Sequence, residues 1–187
     1  MSMPRQGLRD RQVETVGRLL AAGSLELVSA GHEALTIRSV AARAGVSSAT
    51  AYTYFSSKNH LFAELFWREL VRDEGWQPEG KTALARVQSV TREMSRMLAG
   101  APALAAAATQ ALLGSDPDVA RLRLRIGAEF QRRFQQALGD GASEPLLDAL
   151  ILVYTGALLQ AGMGLASYAE MAERLDAVVA TIMEGSS

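Results

Sequence analysis

Apolar residues in this chain recur at every third or fourth position, and its strand formers never gather into alternating runs. Alanine is the dominant residue, and glycine and proline supply the punctuation. Such a chain has little choice but to be all-α. At 187 residues it makes one large domain or two small ones. A chain of that size hides roughly 70% of its unfolded surface, so a real core is available.

The boundaries follow from caps and stops. A first helix is expected over about 9–30, with Val13, Val16, Leu20 and Leu27 as its stripe and Gly31 as its end. Thr36 caps a short helix over 37–44, Gly45 ends it, and Ser47 caps another over 48–54. Ser57 opens a longer one over about 58–74, with Leu61, Phe62, Leu65, Phe66 and Leu70 on its apolar face. After the break at 75–80, helices are expected over about 82–98, 102–113, 117–138, 145–166 and 167–183. Asp116-Pro117-Asp118 carries a cap, a proline at the first helical position and an acid favoured by the helix dipole. The total is about nine helices.

Several function classes drop out on composition. There is no cysteine and there are two histidines, which excludes a disulfide framework, a thiolate zinc site, a cysteine nucleophile and a three-histidine metal site. His32 and His60 have no evident partner for a catalytic pair. No phosphate loop, dinucleotide fingerprint or nucleophile elbow occurs. The expectation is therefore a non-enzyme with no catalytic residue, cofactor or metal.

Residues 1–12 lack the apolar core of a signal peptide. The most apolar stretch, 146–165, is interrupted by Asp148, Tyr154 and Gln160, so it reads as an interface helix and not a membrane span. With no cysteine to oxidise, a cytoplasmic protein without a membrane partner is expected.

The formal net charge of −1 conceals a split. Residues 1–60 carry net +3 and the remainder net −4, a basic head on an acidic body.

The head also carries the sharpest motif. Residues 36–54 read as a helix, a tight turn at Gly45-Val46-Ser47 and a second short helix. A helix-turn-helix needs small residues where its helices cross and a left-handed residue in the turn. Ala41 and Ala42 supply the first, Gly45 the second, and Ile37, Val40 and Val46 the apolar contacts. The second helix is too short to stand alone, which suits a helix presented to something else.

Over residues 31–62 the chain resembles the N-terminal domain of the TetR family of bacterial transcriptional regulators. The matching positions are Gly31, Thr36, Arg38, Val40-Ala41, Ala44-Gly45-Val46-Ser47, Thr50, Tyr52, Tyr54-Phe55, Ser57-Lys58 and Leu61. The resemblance implies a helix-turn-helix DNA-binding domain at 1–57 and a helical-bundle domain for ligand binding and dimerisation at 58–187. It implies that residues 47–54 enter the major groove and that Thr36, Arg38 and Lys58 face phosphates. Direct contacts would come from Ser47, Ser48, Ala49, Thr50, Tyr52 and Tyr54.

The recognition helix contains no Arg or Lys, so the usual bidentate arginine–guanine contact is absent. Specificity would then lean on DNA shape, aided by Arg5, Arg9 or Arg11 near a minor groove.

For the body, the resemblance implies a pocket for a small, largely apolar effector. The candidate walls are Phe66, Met94, Met97, Leu98, Phe130, Phe134, Tyr154 and Met163. Arg96 and Arg133 are the charges that could turn inward. The last two helices would form a homodimer, with Leu146, Leu150, Val153, Ala157 and Ala161 as the contact stripe. The implied function is a repressor released from a palindromic double-stranded operator when effector binds. A helical-bundle adaptor or ligand-binding protein with weak or lost DNA binding and a small all-α enzyme are the other classes. Site-specific, salt-sensitive DNA binding separates them from a regulator.

Overall fold

The computed structural model describes residues 3–73 and 75–185, with side-chain surroundings from Asp10 onward. The chain is all-α, with nine α-helices and no strand among the described residues. They are α1 (Met3–Ala34), α2 (Ile37–Ala44), α3 (Ser48–Tyr54), α4 (Lys58–Leu70), α5 (Ala83–Gly100), α6 (Pro102–Leu113), α7 (Pro117–Leu138), α8 (Glu144–Gly162) and α9 (Tyr168–Glu184). A single 3₁₀ turn, Gly139–Gly141, joins α7 to α8.

The expected caps are in place. Thr36 accepts the Ser39 N–H at 3.0 Å while Ser39 accepts the Thr36 N–H at 3.2 Å, a reciprocal box that starts α2. Ser47 and Ser57 accept the N–H groups of Thr50 and His60 at 3.1 and 3.0 Å. Asp116 accepts those of Asp118 and Val119 at 2.9 and 3.4 Å. α2 ends in a left-handed Gly45 (φ 66°), with Val46 N–H to Ala41 O at 3.0 Å and Gly45 N–H to Ala42 O at 3.2 Å. That pair of bonds closes the orphan carbonyls and turns the chain into α3.

Several boundaries differ from the sequence expectation, beginning with α1, which starts at Met3 and not near residue 9. α1 reaches Ala34, although Gly31 does break its helical geometry (φ 78°, ψ 167°). Val13, expected in its stripe, is 72% exposed, because α1 there projects past the elements it packs on. α4 stops at Leu70, and the Arg133 guanidinium takes the Leu70 carbonyl that the helix end leaves open. Glu74, the expected end, lies outside the described residues. α8 stops at Gly162, where left-handed Gly164 (φ 76°) lets Leu165 and Gly164 donate back to Gln160 and Ala161, both at 3.0 Å.

Two large apolar cores result, with a small third cluster of Ala63, Val119 and Leu122 between α4 and α7. One joins α1, α2, α3 and the start of α4 around Leu19, Leu35, Val40, Ala51, Phe55 and Leu61, with Ala107 and Ala111 of α6 reaching into it. The other fills the bundle from the end of α4 to α9 around Val87, Met94, Phe134, Leu150, Tyr154 and Leu175. α4 lies against α6 and α7, and α9 against α5 and α8. The head therefore rests on the body through α4 and α6.

Candidate nucleic-acid interface and sensor core

α3 is a short helix clamped by its inner residues. Ala51 is fully buried, and Phe55 at its C-cap is 3% exposed, meeting the His60 ring edge-on at 5.6 Å. Held that way, α3 turns Ser48, Ala49, Tyr52 and Thr53 outward. Thr53 was missed at the sequence level, yet its spacing from Ala49 puts it on the same face. Its hydroxyl donates to Ala49 O at 3.0 Å. The Thr50 hydroxyl is engaged with that of Ser47 at 2.8 Å, which leaves its methyl as the free feature. Tyr54 is half-buried against the head core, while Tyr52 is 47% exposed.

The expected phosphate contacts divide. Arg38 is exposed in the first turn of α2, next to the Thr36 cap. Arg11 is also exposed, whereas the side chains of Arg5 and Arg9 lie outside the described residues. Lys58 has an internal task that the motif does not reveal. Its ammonium donates to the His32 and Glu33 carbonyls, both at 3.0 Å, tying the end of α1 to the start of α4. One N–H remains for a phosphate. Arg43, in turn, ties α2 to α1 through Glu26 at 2.5 Å.

In the body, Phe66, Met94, Leu98, Phe130, Phe134 and Tyr154 share one packed core, and Met97 packs on its margin. They are mostly core and not pocket wall. Of the eight candidates only Phe130 borders the apolar cleft between α6, α7 and α8, with Thr109, Leu112, Ile126, Ile151 and Leu158. That cleft holds about 270 Å³. Met97 instead borders a more polar cavity of the same size, near Trp76, Arg96 and Arg133. Met163 is 58% exposed just past the end of α8 and does not line the cleft beside Phe130.

Arg133 does turn inward, but as half of an ion pair. Its Nε donates to Glu129 Oε1 at 2.8 Å, and the side chains are 7% and 10% exposed. Arg132 donates to the same carboxylate at 2.6 and 2.7 Å. Burial pushes the Glu129 pKa up, yet the hydrogen bonds and charges of the two arginines outweigh it and hold it below the ordinary value. Arg96 remains exposed, paired with Glu93.

The Tyr154 hydroxyl has no hydrogen-bond partner, and burial pushes its phenol pKa up. Its ring meets those of Phe130 and Phe134 edge-on at 5.2 and 6.1 Å. Tyr154→Phe is therefore expected to keep or raise the thermal midpoint, since an unpartnered buried hydroxyl only costs desolvation. A drop beyond about 3 °C in calorimetry contradicts this.

The expected dimer stripe splits in two. Leu146, Leu150 and Ala161 are 7%, 1% and 8% exposed and point into their own bundle. Val153 and Ala157 border an open groove of about 550 Å³ between α8 and α9, with Gly156, Gln160, Leu175 and Val178. The outward apolar residues are instead Leu152 (72% exposed), Leu159 (37%) and Val178 (42%). α8 is apolar all round, with mean hydropathy 1.4 and only 22% of its most apolar window buried. A stripe read from spacing could not tell its inner face from its outer one.

A family model described as bacterial regulatory proteins, tetR family, matches residues 19–65. A second, described as tetracyclin repressor-like, C-terminal domain, matches residues 80–182. An uncharacterised HTH-type transcriptional regulator of Mycobacterium tuberculosis is 44% identical over 180 residues, which is 95% of this chain and 84% of that relative. The HTH-type transcriptional repressor KstR of Rhodococcus jostii is 34% identical over 74% of this chain and 66% of its own. A TetR transcriptional regulator from Rhodococcus sp. RHA1 superposes with a TM-score of 0.75 at 25% identity, covering 90% of this chain and 94% of that one. FadR from Bacillus subtilis, solved in complex with stearoyl-CoA, shares the fold with a TM-score of 0.67 at 17% identity, over 88% and 97% of the two chains.

Proposed function

Because the chain belongs to the TetR family of bacterial regulatory proteins, we propose that it represses transcription as a cytoplasmic homodimer bound to a palindromic operator and released by a small, largely apolar effector. The observation that carries the DNA half is the outward face of α3, Ser48, Ala49, Tyr52 and Thr53, on a helix pinned by Ala51 and Phe55. Without Arg or Lys on that helix, hydroxyl and methyl contacts read the bases and Arg38 anchors a phosphate.

Two copies related by a two-fold axis place two α3 helices in successive major grooves, roughly 34 Å apart. The outward apolar faces of α8 and α9 supply the surface for that pairing. The effector reading rests on the cleft beside Phe130, whose lining is apolar apart from Thr109, Thr155 and Arg123, the last donating to the Leu112 and Gly114 carbonyls at 2.7 and 2.6 Å.

The test is binding to DNA upstream of the chain's own gene, measured by fluorescence anisotropy over a salt series. Site-specific binding that weakens steeply with salt is expected. Tyr52→Ala should weaken operator binding about tenfold with an unchanged thermal midpoint. Arg38→Ala should weaken operator and random DNA alike and reduce the salt slope by about one. Binding that ignores sequence sinks the regulator reading and leaves a helical adaptor. A compound that releases DNA must in turn bind more weakly in the presence of operator, by the same factor.

A further inference from the structure

We infer that Asp116 and Asp118, at the start of α7, are positioning residues through which the sensor body sets the recognition helix. Ser56 and Ser57 form the connection between α3 and α4. Ser57 caps α4 by accepting the His60 N–H, and its own hydroxyl donates to Asp116 Oδ2 at 2.5 Å. Asp116 is itself the cap of α7. The N-caps of two helices, 59 residues apart in sequence, are therefore joined by one hydrogen bond.

A second bond runs beside the first. The Ser56 hydroxyl donates to Asp118 Oδ2 at 2.6 Å, and His60 Nδ1 lies 3.3 Å from that hydroxyl and 3.9 Å from the carboxylate. Arg121 holds the other Asp118 oxygen. Below this polar joint, Ala63 of α4 packs with Val119 and Leu122 of α7. The hydrogen bonds from Ser57 and Ser56 are the leading reasons why both carboxyls sit below their ordinary pKa, so both stay ionised acceptors at neutral pH.

The joint gains meaning from what lies further along α7. Ile126 and Phe130, on the same helix, border the apolar cleft. Twelve residues of helix separate Asp118 from Phe130, about 18 Å of stiff rod. A displacement of Phe130 by an occupant of the cleft reaches the turn after α3 without passing through a flexible segment. The head also touches the body through α6, but Leu104, Ala107 and Ala111 make only apolar contacts there, which slide more easily than two directional bonds to carboxylates. The inference rests on the regulator reading for its purpose and on the geometry alone for its existence.

Ser56→Ala and Asp118→Ala, singly and together, test it without disturbing either cap. Hydrogen exchange on the intact protein is expected to speed up several-fold in residues 47–57 while α5, α8 and α9 keep their rates. Within residues 47–57 the double variant should match Asp118→Ala, because the Ser56–Asp118 bond is already gone in that single variant, which also frees Arg121. Asp118→Asn keeps an acceptor oxygen and should restore most of the protection. Operator affinity, relative to random DNA, should fall roughly fivefold to tenfold in Asp118→Ala, although that residue removes a negative charge. Unchanged exchange in 47–57, or equal acceleration throughout the chain, overturns the inference. A wild-type protein that binds no operator defeats the regulator reading instead, and the exchange result still decides the joint.

Discussion

Leu152→Arg is expected to leave each protomer folded while abolishing the proposed dimer and, with it, tight operator binding. Leu152 is 72% exposed on α8, so a protomer loses almost no burial when it is replaced. In a two-fold interface the same change is made twice, at a face whose neighbours include Leu159 and Val178. Two guanidinium groups would then be brought into an apolar interface, each only partly offset by Asp148 one turn earlier on α8, and the remaining desolvation and steric cost opposes the pairing. Separating the protomers also removes the tether between half-sites, which is worth about 10²–10⁴ in apparent affinity. Sedimentation velocity should show monomers, and operator affinity should fall by at least about a hundredfold. A variant that sediments as a dimer rules out this face. Leu150→Arg is the informative contrast: at 1% exposure it should unfold the bundle rather than merely split the dimer.

Glu129→Ala carries the largest expected loss of stability short of core disruption. It strips the nearly buried Arg133 of its carboxylate while the guanidinium stays committed to the Leu70 carbonyl. Breaking a buried pair from one side costs about 3–5 kcal/mol, because the survivor is left charged and unpaired. For a chain of this length that corresponds to a fall of roughly 10 °C in thermal midpoint. Replacing both partners with apolar residues, Glu129→Leu with Arg133→Met, should recover much of the loss.

The same pair gives a pH dependence of definite sign. The Glu129 pKa is lowered from 4.5 in the folded protein. Its contribution is thus complete above the unfolded value and is lost as pH falls through the lower folded one. Chemical denaturation at pH 7 and in the acid range should show a gap between wild type and Glu129→Ala that closes on acidification. A constant gap contradicts the assignment.

Much of the fold was legible because its signals are local. Thr36, Ser47, Ser57 and Asp116 cap the helices that the sequence placed after them, for a cap needs only the next three residues. Gly45 was readable as the turn because left-handed backbone strongly favours glycine. The recognition-helix residues came from the family resemblance; α3 turns Ser48, Ala49 and Tyr52 of that set outward, adds Thr53, and leaves Thr50 and Tyr54 half-buried.

The sensor body was less legible. Core and pocket wall draw on the same apolar residue types, so Phe66, Met94 and Phe134 looked like lining and proved to be packing. Met163 looked like lining until the end of α8 placed it on the surface. The split of the dimer stripe has the same origin, since periodicity locates a buried face only when the opposite face is polar.

The sequence by itself determined the helices, their caps, the helix-turn-helix and the family, all of which are written in residues within a few positions of one another. Only the tertiary structure decided the rotation of α8, the engagement of Lys58 with the end of α1, the inward pairing of Arg133 and the bonds from Ser56 and Ser57 to Asp118 and Asp116. Those bonds join groups 59 and 62 residues apart, and no local pattern marks either partner as waiting for the other. A carboxylate at a helix start and a serine at a helix cap each look complete until packing brings them within hydrogen-bond reach.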